Sequence, residues 1–148
     1  MTRPDSGLGK AGLVVSGALA RSLFRSLEAA YPREACGVLT GRIEAGARRV
    51  LEVHPSANLW ADRPDRYRVD PADLRRLIEA EERGGARVLG FYHSHPDAPP
   101  EPSETDRRLA WPWYHYLIIS VTGGVAGEAR VWELTEGAGF GERPLREE

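Results

Sequence analysis

The chain has 148 residues, 41% hydrophobic and 28% charged, with a formal net charge of -2. We expect one domain over residues 1–148, because this length suits a single core. There is no basic field for nucleic acid and no apolar run long enough for a membrane span. Residues 1–10 are expected to be flexible. They lack the features of a secretory signal, and the chain has one cysteine, which favours the cytoplasm.

The first third of the sequence predicts a strand, a helix and a hairpin. Leu13–Val15 is apolar and predicts a short strand, and Ser16 can cap a helix that ends near Tyr31. The apolar stretch Glu34–Gly41 and the alternating stretch Arg49–His54 follow. These two stretches predict an antiparallel pair.

The middle of the sequence predicts a loop, a second helix and a central strand. Residues 55–64 contain helix and strand breakers, and a short strand is expected over Arg66–Val69. Asp70 can cap a helix with Pro71 at its first position, and two glycines end that helix. Arg87–Tyr92 then predicts a central strand that runs into a pair of histidines.

The last third predicts a helix followed by two strands. Prolines between Ser94 and Pro102 argue against regular structure, and Ser103 is placed to begin a helix that ends around Trp111. Tyr116–Val121 and Glu128–Leu134 predict strands separated by a glycine-rich turn. The irregular alternation of elements predicts an α/β protein with a mixed, curved sheet and helices packed on it.

A metal-binding pattern follows the central strand. His93 and His95 are two residues apart, so an extended backbone projects both imidazoles to one side with Cα atoms about 7 Å apart. Asp106 lies in the first turn of the next helix, where its carboxylate can approach the two rings. Two nitrogens and one carboxylate leave the fourth position of a zinc ion open for water, as in catalytic sites.

Two further polar residues are candidates for catalysis. Glu34 can act as the base that takes a proton from zinc-bound water and delivers it to the leaving amine. Ser103 can donate its hydroxyl to the oxyanion that forms on the attacked carbonyl. The spacing of Ser103 and Asp106 also resembles a capping box, so a helix cap is the alternative role, and the two roles can coexist.

These residues together resemble the JAMM or MPN-plus metallopeptidases. The family pattern is a distant Glu, then His-Ser/Thr-His-Pro, then Ser, two residues and Asp. Here it is Glu34, His93-Ser94-His95-Pro96 and Ser103-Glu104-Thr105-Asp106, with seven residues between His95 and Ser103. The stretch from Glu34 to Leu39 and the stretch from Trp111 to Ser120 also resemble bacterial members.

The resemblance implies a cytidine-deaminase-like α/β/α sandwich and one Zn²⁺ held by His93, His95 and Asp106. It also implies hydrolysis of a peptide or isopeptide bond at the C-terminus of a ubiquitin-like or sulfur-carrier protein that ends in Gly-Gly. Release of a C-terminal cysteine from such a carrier is one form of this reaction. The sequence leaves a homodimer open.

Several alternatives remain at this point. Two histidines and a carboxylate also form the triad of non-haem iron oxygenases, and an inactive MPN-type scaffold would share the fold. A zinc deaminase needs more than the single cysteine, Cys36, which we expect to pack as a small hydrophobe rather than to act as a nucleophile. Some aromatic residues can line a groove for a substrate tail or pack in the core, and for Trp111 we expect core packing. His54 and His115 are expected to be structural or surface residues.

Overall fold

The structure, a computed structural model, describes residues 12–60, 62, 67–135, 137 and 139–148. Within this part of the chain, eight strands and three helices are present. The strands are β1 (Leu13–Val15), β2 (Cys36–Glu44), β3 (Ala47–Ser56), β4 (Arg87–Pro96), β5 (His115–Thr122), β6 (Val125–Thr135), β7 (Gly139–Arg143) and β8 (Leu145–Glu147). The helices are α1 (Gly17–Ala30), α2 (Pro71–Glu82) and α3 (Glu104–Leu109).

All eight strands form one mixed sheet in the order β7-β6-β5-β4-β2-β3-β1-β8, with β4 near the centre. Strand β4 is parallel to β5, and β1 is parallel to both β3 and β8, whereas the remaining pairs are antiparallel. The pairs β2–β3, β2–β4 and β5–β6 each contain a register shift. Irregularities of this kind bend strands and increase their twist, so the mixed, curved sheet predicted from the sequence is confirmed.

Helices cover the two faces of this sheet. Leu23 and Leu27 of α1 are buried against one face, in a cluster with Leu39 of β2. Leu74 and Leu77 of α2 pack on the other face, against a separate cluster of buried side chains. The predicted arrangement of a sheet flanked by helices is therefore confirmed. Full burial of a leucine side chain, as for Leu23 and Leu27, stabilises the fold by about 2 kcal/mol.

A register shift inside β4 decides which side chains face α2. Val88 and Phe91 belong to the cluster under α2, whereas Leu89 and Tyr92 belong to the cluster under α1. A Cβ atom at Gly90 would lie only 1.9 Å from the carbonyl oxygen of His115, so the irregularity occurs where only glycine fits. Beyond it the strand alternates regularly, which places the next odd-numbered side chains on the α2 face.

The predicted helix starts agree with the structure. Ser16 accepts a hydrogen bond from Leu19 N at 3.1 Å, and Asp70 accepts one from Ala72 N at 2.9 Å with Pro71 in the first turn. None of the helices in the described residues has both the length and the apolar composition that a membrane span needs.

Some predicted boundaries are wrong. Strand β4 continues through the histidines to Pro96, because parallel pairing with β5 satisfies its backbone there. No strand forms over 67–69, where Val69 makes only an isolated bridge with Asn58, and Arg66 lies outside the described residues. Strand β2 begins at Cys36, so Glu34 precedes it.

The comparison with the predicted elements extends to the end of α3, the last two strands and residues 1–10. Helix α3 ends at Leu109, earlier than predicted. Strands β7 and β8 were not predicted, because β7 is short and contains two glycines and β8 has only three residues, so neither gives an alternating pattern. The expectation of flexibility over 1–10 falls on residues outside those that the structure describes.

Candidate metal centre

The carboxyl end of β4 carries the two histidines. His93 and His95 extend the alternation that begins at Phe91, so both rings lie on the α2 face of the sheet. The side chain of His93 is only 1% exposed and that of His95 is 11% exposed. Their Nε2 atoms are 3.0 Å apart, which means that the two rings converge on one point.

The N-terminus of α3 brings the acidic group to this point. Ser103 Oγ accepts a hydrogen bond from Asp106 N at 3.0 Å, and Asp106 Oδ2 accepts one from Ser103 N at 2.8 Å, which together form a capping box. The same Oδ2 atom lies 3.4 Å from His93 Nε2 and 3.5 Å from His95 Nε2. The cap therefore fixes the direction in which the carboxylate points.

The three donor atoms have the spacing that zinc requires. A tetrahedral ion with bonds of about 2.0–2.1 Å separates neighbouring ligand atoms by about 3.3 Å. The observed sides of the triangle are 3.0, 3.4 and 3.5 Å. The structure thus brings together the three predicted ligands His93, His95 and Asp106, and their donor set fits a zinc ion with an open fourth position.

Neighbouring groups orient the two imidazoles differently. His95 Nδ1 donates a hydrogen bond to the carbonyl of Pro99 at 2.8 Å, which leaves the lone pair on Nε2. The ring of Tyr67 stacks on His93 at a centroid distance of 4.0 Å. Neither contact was predicted from the sequence. A tyrosine in a loop and a carbonyl group carry no signal that could have revealed them.

The electrostatics of the cluster favour metal binding. Burial lowers the pKa of His93, so this ring is neutral at neutral pH. Burial opposes ionisation of Asp106, but hydrogen bonds with both imidazoles hold the pKa of its carboxyl well below its usual range. Burial also lowers the pKa of His95, but Asp106, the Pro99 carbonyl and Glu34 outweigh burial and raise that pKa overall.

Glu34 directly precedes β2, the strand that pairs with β4 beside the two histidines. Cys36 pairs with His93, and one step further Ser94 N donates to the carbonyl of Ala35 at 3.0 Å. Continued by one residue, this antiparallel register would bring Glu34 opposite His95, on the same face. Its effect on the pKa of His95 agrees with this position. The catalytic role of Glu34 stays a prediction.

Comparison with known proteins identifies the family. The family model described as prokaryotic homologs of the JAB domain matches residues 16–135. The chain belongs to this family.

The named relatives indicate the enzyme class. Over 93 residues the JAB-family chain is 46% identical to a desampylase of Haloferax volcanii, covering 62% of the chain and 66% of the relative. It is 32% identical over 128 residues to the CysO-cysteine peptidase of Mycobacterium tuberculosis, covering 85% of each. A probable TtuB-protein conjugate cleaving protease of Thermus thermophilus is 36% identical over 106 residues, covering 72% of the chain and 65% of the relative. The predicted enzyme class, a JAMM-type hydrolase, is thus confirmed.

A solved structure agrees with the fold. The solution structure of protein DSY2949 from Desulfitobacterium hafniense superposes with a TM-score of 0.79 at 29% identity. The match covers 92% of each chain.

A groove opens beside the candidate centre of the JAB-family chain. Its volume is about 650 Å³, and its lining includes Asp106 together with Trp60, Phe91 and Trp111. Trp111 is 53% exposed, so the prediction that it packs in the core is wrong. Trp111 lies beyond the end of α3, and its side chain lines the groove.

Two arginines also line the groove. The side chains of Arg68 and Arg108 line it, and both residues are exposed. Among the described residues, neither guanidinium group has a carboxylate within ion-pair distance. The groove therefore combines an apolar surface with uncompensated positive charge.

The remaining candidates lie outside the triangle of donors. Burial raises the pKa of the Cys36 thiol to about 12, so the thiolate needed for a nucleophile is not formed at neutral pH. His54 Nε2 lies 2.9 Å from Thr40 Oγ1, and His115 is fully buried beside Glu133. These positions agree with the structural roles expected for both histidines.

Proposed function

We propose that the chain is a zinc-dependent peptidase that hydrolyses the bond after the C-terminal Gly-Gly of a ubiquitin-like or sulfur-carrier protein. The observation that carries the proposal is the triangle formed by His93 Nε2, His95 Nε2 and Asp106 Oδ2, because its sides match those of a zinc tetrahedron. The relatives support the substrate class, since one is named a CysO-cysteine peptidase and another a probable TtuB-protein conjugate cleaving protease.

The three ligand residues would hold a single divalent ion. When bound, zinc supplies a Lewis acid that lowers the pKa of a coordinated water to about 7. His93 offers a neutral nitrogen because burial lowers its pKa, and the Pro99 carbonyl keeps the proton of His95 on Nδ1. Asp106 stays ionised and supplies the negative charge.

Glu34 acts as the general base. It takes a proton from the attacking water and returns it to the leaving amine, which is a role that carboxylates commonly fill in hydrolases. The register that would bring Glu34 opposite His95 supports this role, because a base must lie beside the attacking water. The carbonyl of Glu34 accepts a hydrogen bond from Asn58 Nδ2 at 3.1 Å, which holds the backbone of this residue.

Ser103 donates its hydroxyl to the oxyanion that develops on the attacked carbonyl. Its Oγ atom already accepts a hydrogen bond from Asp106 N at 3.0 Å. An acceptor bond uses a lone pair and leaves the O–H free to donate in another direction. The cap and the catalytic contact are thus compatible in one side chain.

The groove binds the substrate segment next to the scissile bond. Its apolar lining suits an extended tail, and Arg68 and Arg108 favour a segment that carries negative charge. Two groups can supply that charge. One is the terminal carboxylate of a released amino acid, and the other is an acidic side chain of the carrier.

The decisive experiment uses three substrates built on one carrier. The carrier is extended after Gly-Gly by cysteine, by cysteine amide, or by a peptide joined through a lysine ε-amine. Intact mass is read with zinc, with a chelator, and after zinc is restored. We expect cleavage after Gly-Gly that the chelator abolishes and zinc restores. No product from any substrate contradicts the proposal.

The pattern of rates identifies the recognised group. Slower cleavage of the amide than of the free acid indicates that the arginines bind the terminal carboxylate. Equal rates indicate acidic residues of the carrier, and a preference for the lysine-linked substrate indicates an isopeptidase. Repeating the assay without oxygen tests the iron oxygenase alternative, since a hydrolase keeps its rate. Zinc binding without any hydrolysis favours the scaffold alternative.

A further inference from the structure

The loop between β4 and α3 is held by three successive carbonyl groups. Ser120 Oγ donates to the carbonyl of Ala98 at 2.7 Å, and Trp132 Nε1 donates to the carbonyl of Pro100 at 2.9 Å. The carbonyl of Pro99 between them accepts the hydrogen bond from His95 Nδ1. The carbonyl that orients a candidate metal ligand is therefore fixed on both sides by side chains of the sheet.

The start of this loop is fixed as well. Asp97 has a φ of 55°, a left-handed conformation that aspartate tolerates better than most residues. Its carboxylate accepts hydrogen bonds from Tyr31 Oη at 2.6 Å and Gly123 N at 2.8 Å. Asp97 N donates to the carbonyl of Val121 at 2.8 Å. The chain thus enters the loop in one defined direction.

Prolines make these side-chain contacts necessary. Two of the residues in the loop, Pro99 and Pro100, have no backbone N–H. Glu101 N donates to the Pro99 carbonyl at 2.8 Å, but this hydrogen bond lies within the loop and does not tie it to the sheet. Ser120 on β5 and Trp132 on β6 supply donors from the rigid sheet instead. Their spacing fixes where the Pro99 carbonyl lies relative to β4.

We propose that Ser120 and Trp132 are positioning residues of the metal centre, which hold the Pro99 carbonyl so that His95 presents Nε2 to the ion. A neutral imidazole carries one proton, and the hydrogen bond at Nδ1 selects the tautomer in which Nε2 can bind a metal. The inference rests on the metal centre of the proposed function. It assigns to a serine and a tryptophan outside the family motif a role in metal affinity.

The test compares Ser120→Ala and Trp132→Phe with a matched control. Ser26→Ala is the control, because Ser26 Oγ donates to the carbonyl of Leu23 at the same distance of 2.7 Å but lies in α1. Zinc affinity is measured by competition with a chelator. We expect each loop variant to bind zinc about tenfold more weakly, at the lower end of the effect of outer contacts on metal ligands. The control keeps the wild-type affinity.

A second measurement follows the imidazoles directly. Nitrogen NMR of the metal-free protein at alkaline pH reports which ring nitrogen carries the proton. We expect the Nδ1–H population of His95 to fall in both loop variants. The signals of His54 should stay unchanged, because its ring contacts Thr40 and lies outside both the loop and the metal cluster. A merely structural role would lower the melting temperature without moving these signals.

The outcomes separate this inference from the proposed function. Folded loop variants with wild-type zinc affinity and an unchanged His95 tautomer overturn the inference, whatever the peptidase activity. A changed tautomer supports it even if no substrate is cleaved. If both variants fail to fold, Ser120→Cys decides, because it keeps nearly the same shape and replaces the hydroxyl that donates to the Ala98 carbonyl with a weak thiol donor. A shift of His95 toward the other tautomer then supports the inference, and no shift overturns it.

Discussion

Among the residues that the structure describes, two buried clusters each combine histidine with a carboxylate, and they differ in charge balance. One is the metal cluster of His93, His95 and Asp106. The other, which we call the ion-pair cluster, consists of Arg48, His115, Glu133 and Arg143. In the ion-pair cluster, Glu133 Oε1 lies 3.4 Å from His115 Nε2, 3.2 Å from Arg143 Nε and 3.9 Å from Arg48 Nη2.

The difference between the clusters shows what makes buried polar residues a candidate metal site. In the ion-pair cluster, guanidinium groups compensate the carboxylate, and the ring of Trp113 covers Arg48 at 3.8 Å. In the metal cluster, the structure shows two converging imidazole nitrogens and a carboxylate beside an open groove, without a guanidinium in the triangle. Converging ligand atoms that no guanidinium group neutralises, beside an opening to solvent, favour the binding of a metal cation. A carboxylate that is paired with guanidinium groups instead stabilises the fold.

The largest expected effect is loss of the metal from one cluster only. His95→Ala removes one of three ligands, so we expect bound zinc and hydrolysis to be lost together. The matched variant His115→Ala should keep one zinc per chain and its activity, but it lowers stability by about 2 kcal/mol. Metal analysis and chemical unfolding measure both results. Zinc loss in His115→Ala, or zinc retention in His95→Ala, breaks the comparison.

The next effect separates binding from chemistry inside the metal cluster. Glu34→Gln keeps the shape of the side chain but removes the base, so kcat should fall about 10²–10⁴-fold while zinc stays bound. The control is Glu79→Gln, on the exposed side of α2, which should leave both unchanged. Unchanged cleavage by Glu34→Gln would remove Glu34 from the mechanism.

A smaller effect distinguishes the two roles of Ser103. Ser103→Ala removes the hydroxyl donor, and kcat should fall about 10²-fold, the lower end of the cost of losing an oxyanion donor. It also removes the cap, which costs about 1 kcal/mol of stability. Ser103→Thr keeps donor and acceptor and should preserve most of both. If the alanine variant loses stability but keeps wild-type kcat at a temperature well below melting, Ser103 is only a cap.

The last effect concerns the ion-pair cluster and pH, and it acts on stability and leaves catalysis unchanged. Burial lowers the pKa of His115 below its usual value, and although burial opposes ionisation of Glu133, His115 and the arginines hold the pKa of Glu133 below its usual value as well. As the pH falls, the unfolded chain therefore takes up protons at these residues at a higher pH than the folded chain does. Stability is fully present above the ordinary histidine pKa and falls as the pH drops through the folded-state pKa values.

Urea unfolding across this pH range tests that account. Glu133→Gln should lower stability at neutral pH by about 3 kcal/mol, since it leaves buried positive charge uncompensated, and should reduce the pH dependence. Glu128→Gln is the control, because its pair with Arg130 is exposed and contributes less than about 1 kcal/mol. A wild-type pH profile in Glu133→Gln would contradict the account.

Local patterns predicted most of the regular elements near the site. Ser16, Asp70 and Ser103 were identified as helix caps because their side chains act on amides within three residues. The end of β4 was predicted wrongly, because it is stabilised by pairing with β5, whose residues lie 25 positions further along the chain, as in the pair His93 and Ile118. Trp111 was assigned to the core for the same reason, since burial depends on neighbours that the local pattern does not contain.

The sequence alone determined the residue types and the family to which they belong. A fixed spacing of histidine, serine and aspartate is a local property of the chain, and it needs no folding to be recognised. The tertiary structure decided which polar residues meet. Pairing of β4 with β2 brings the segment that begins just after Glu34 beside the histidines. The capping box aims Asp106 at both rings, and the sheet holds the loop whose Pro99 carbonyl contacts His95. These contacts join segments far apart in the chain, so only the packed fold fixes their distances.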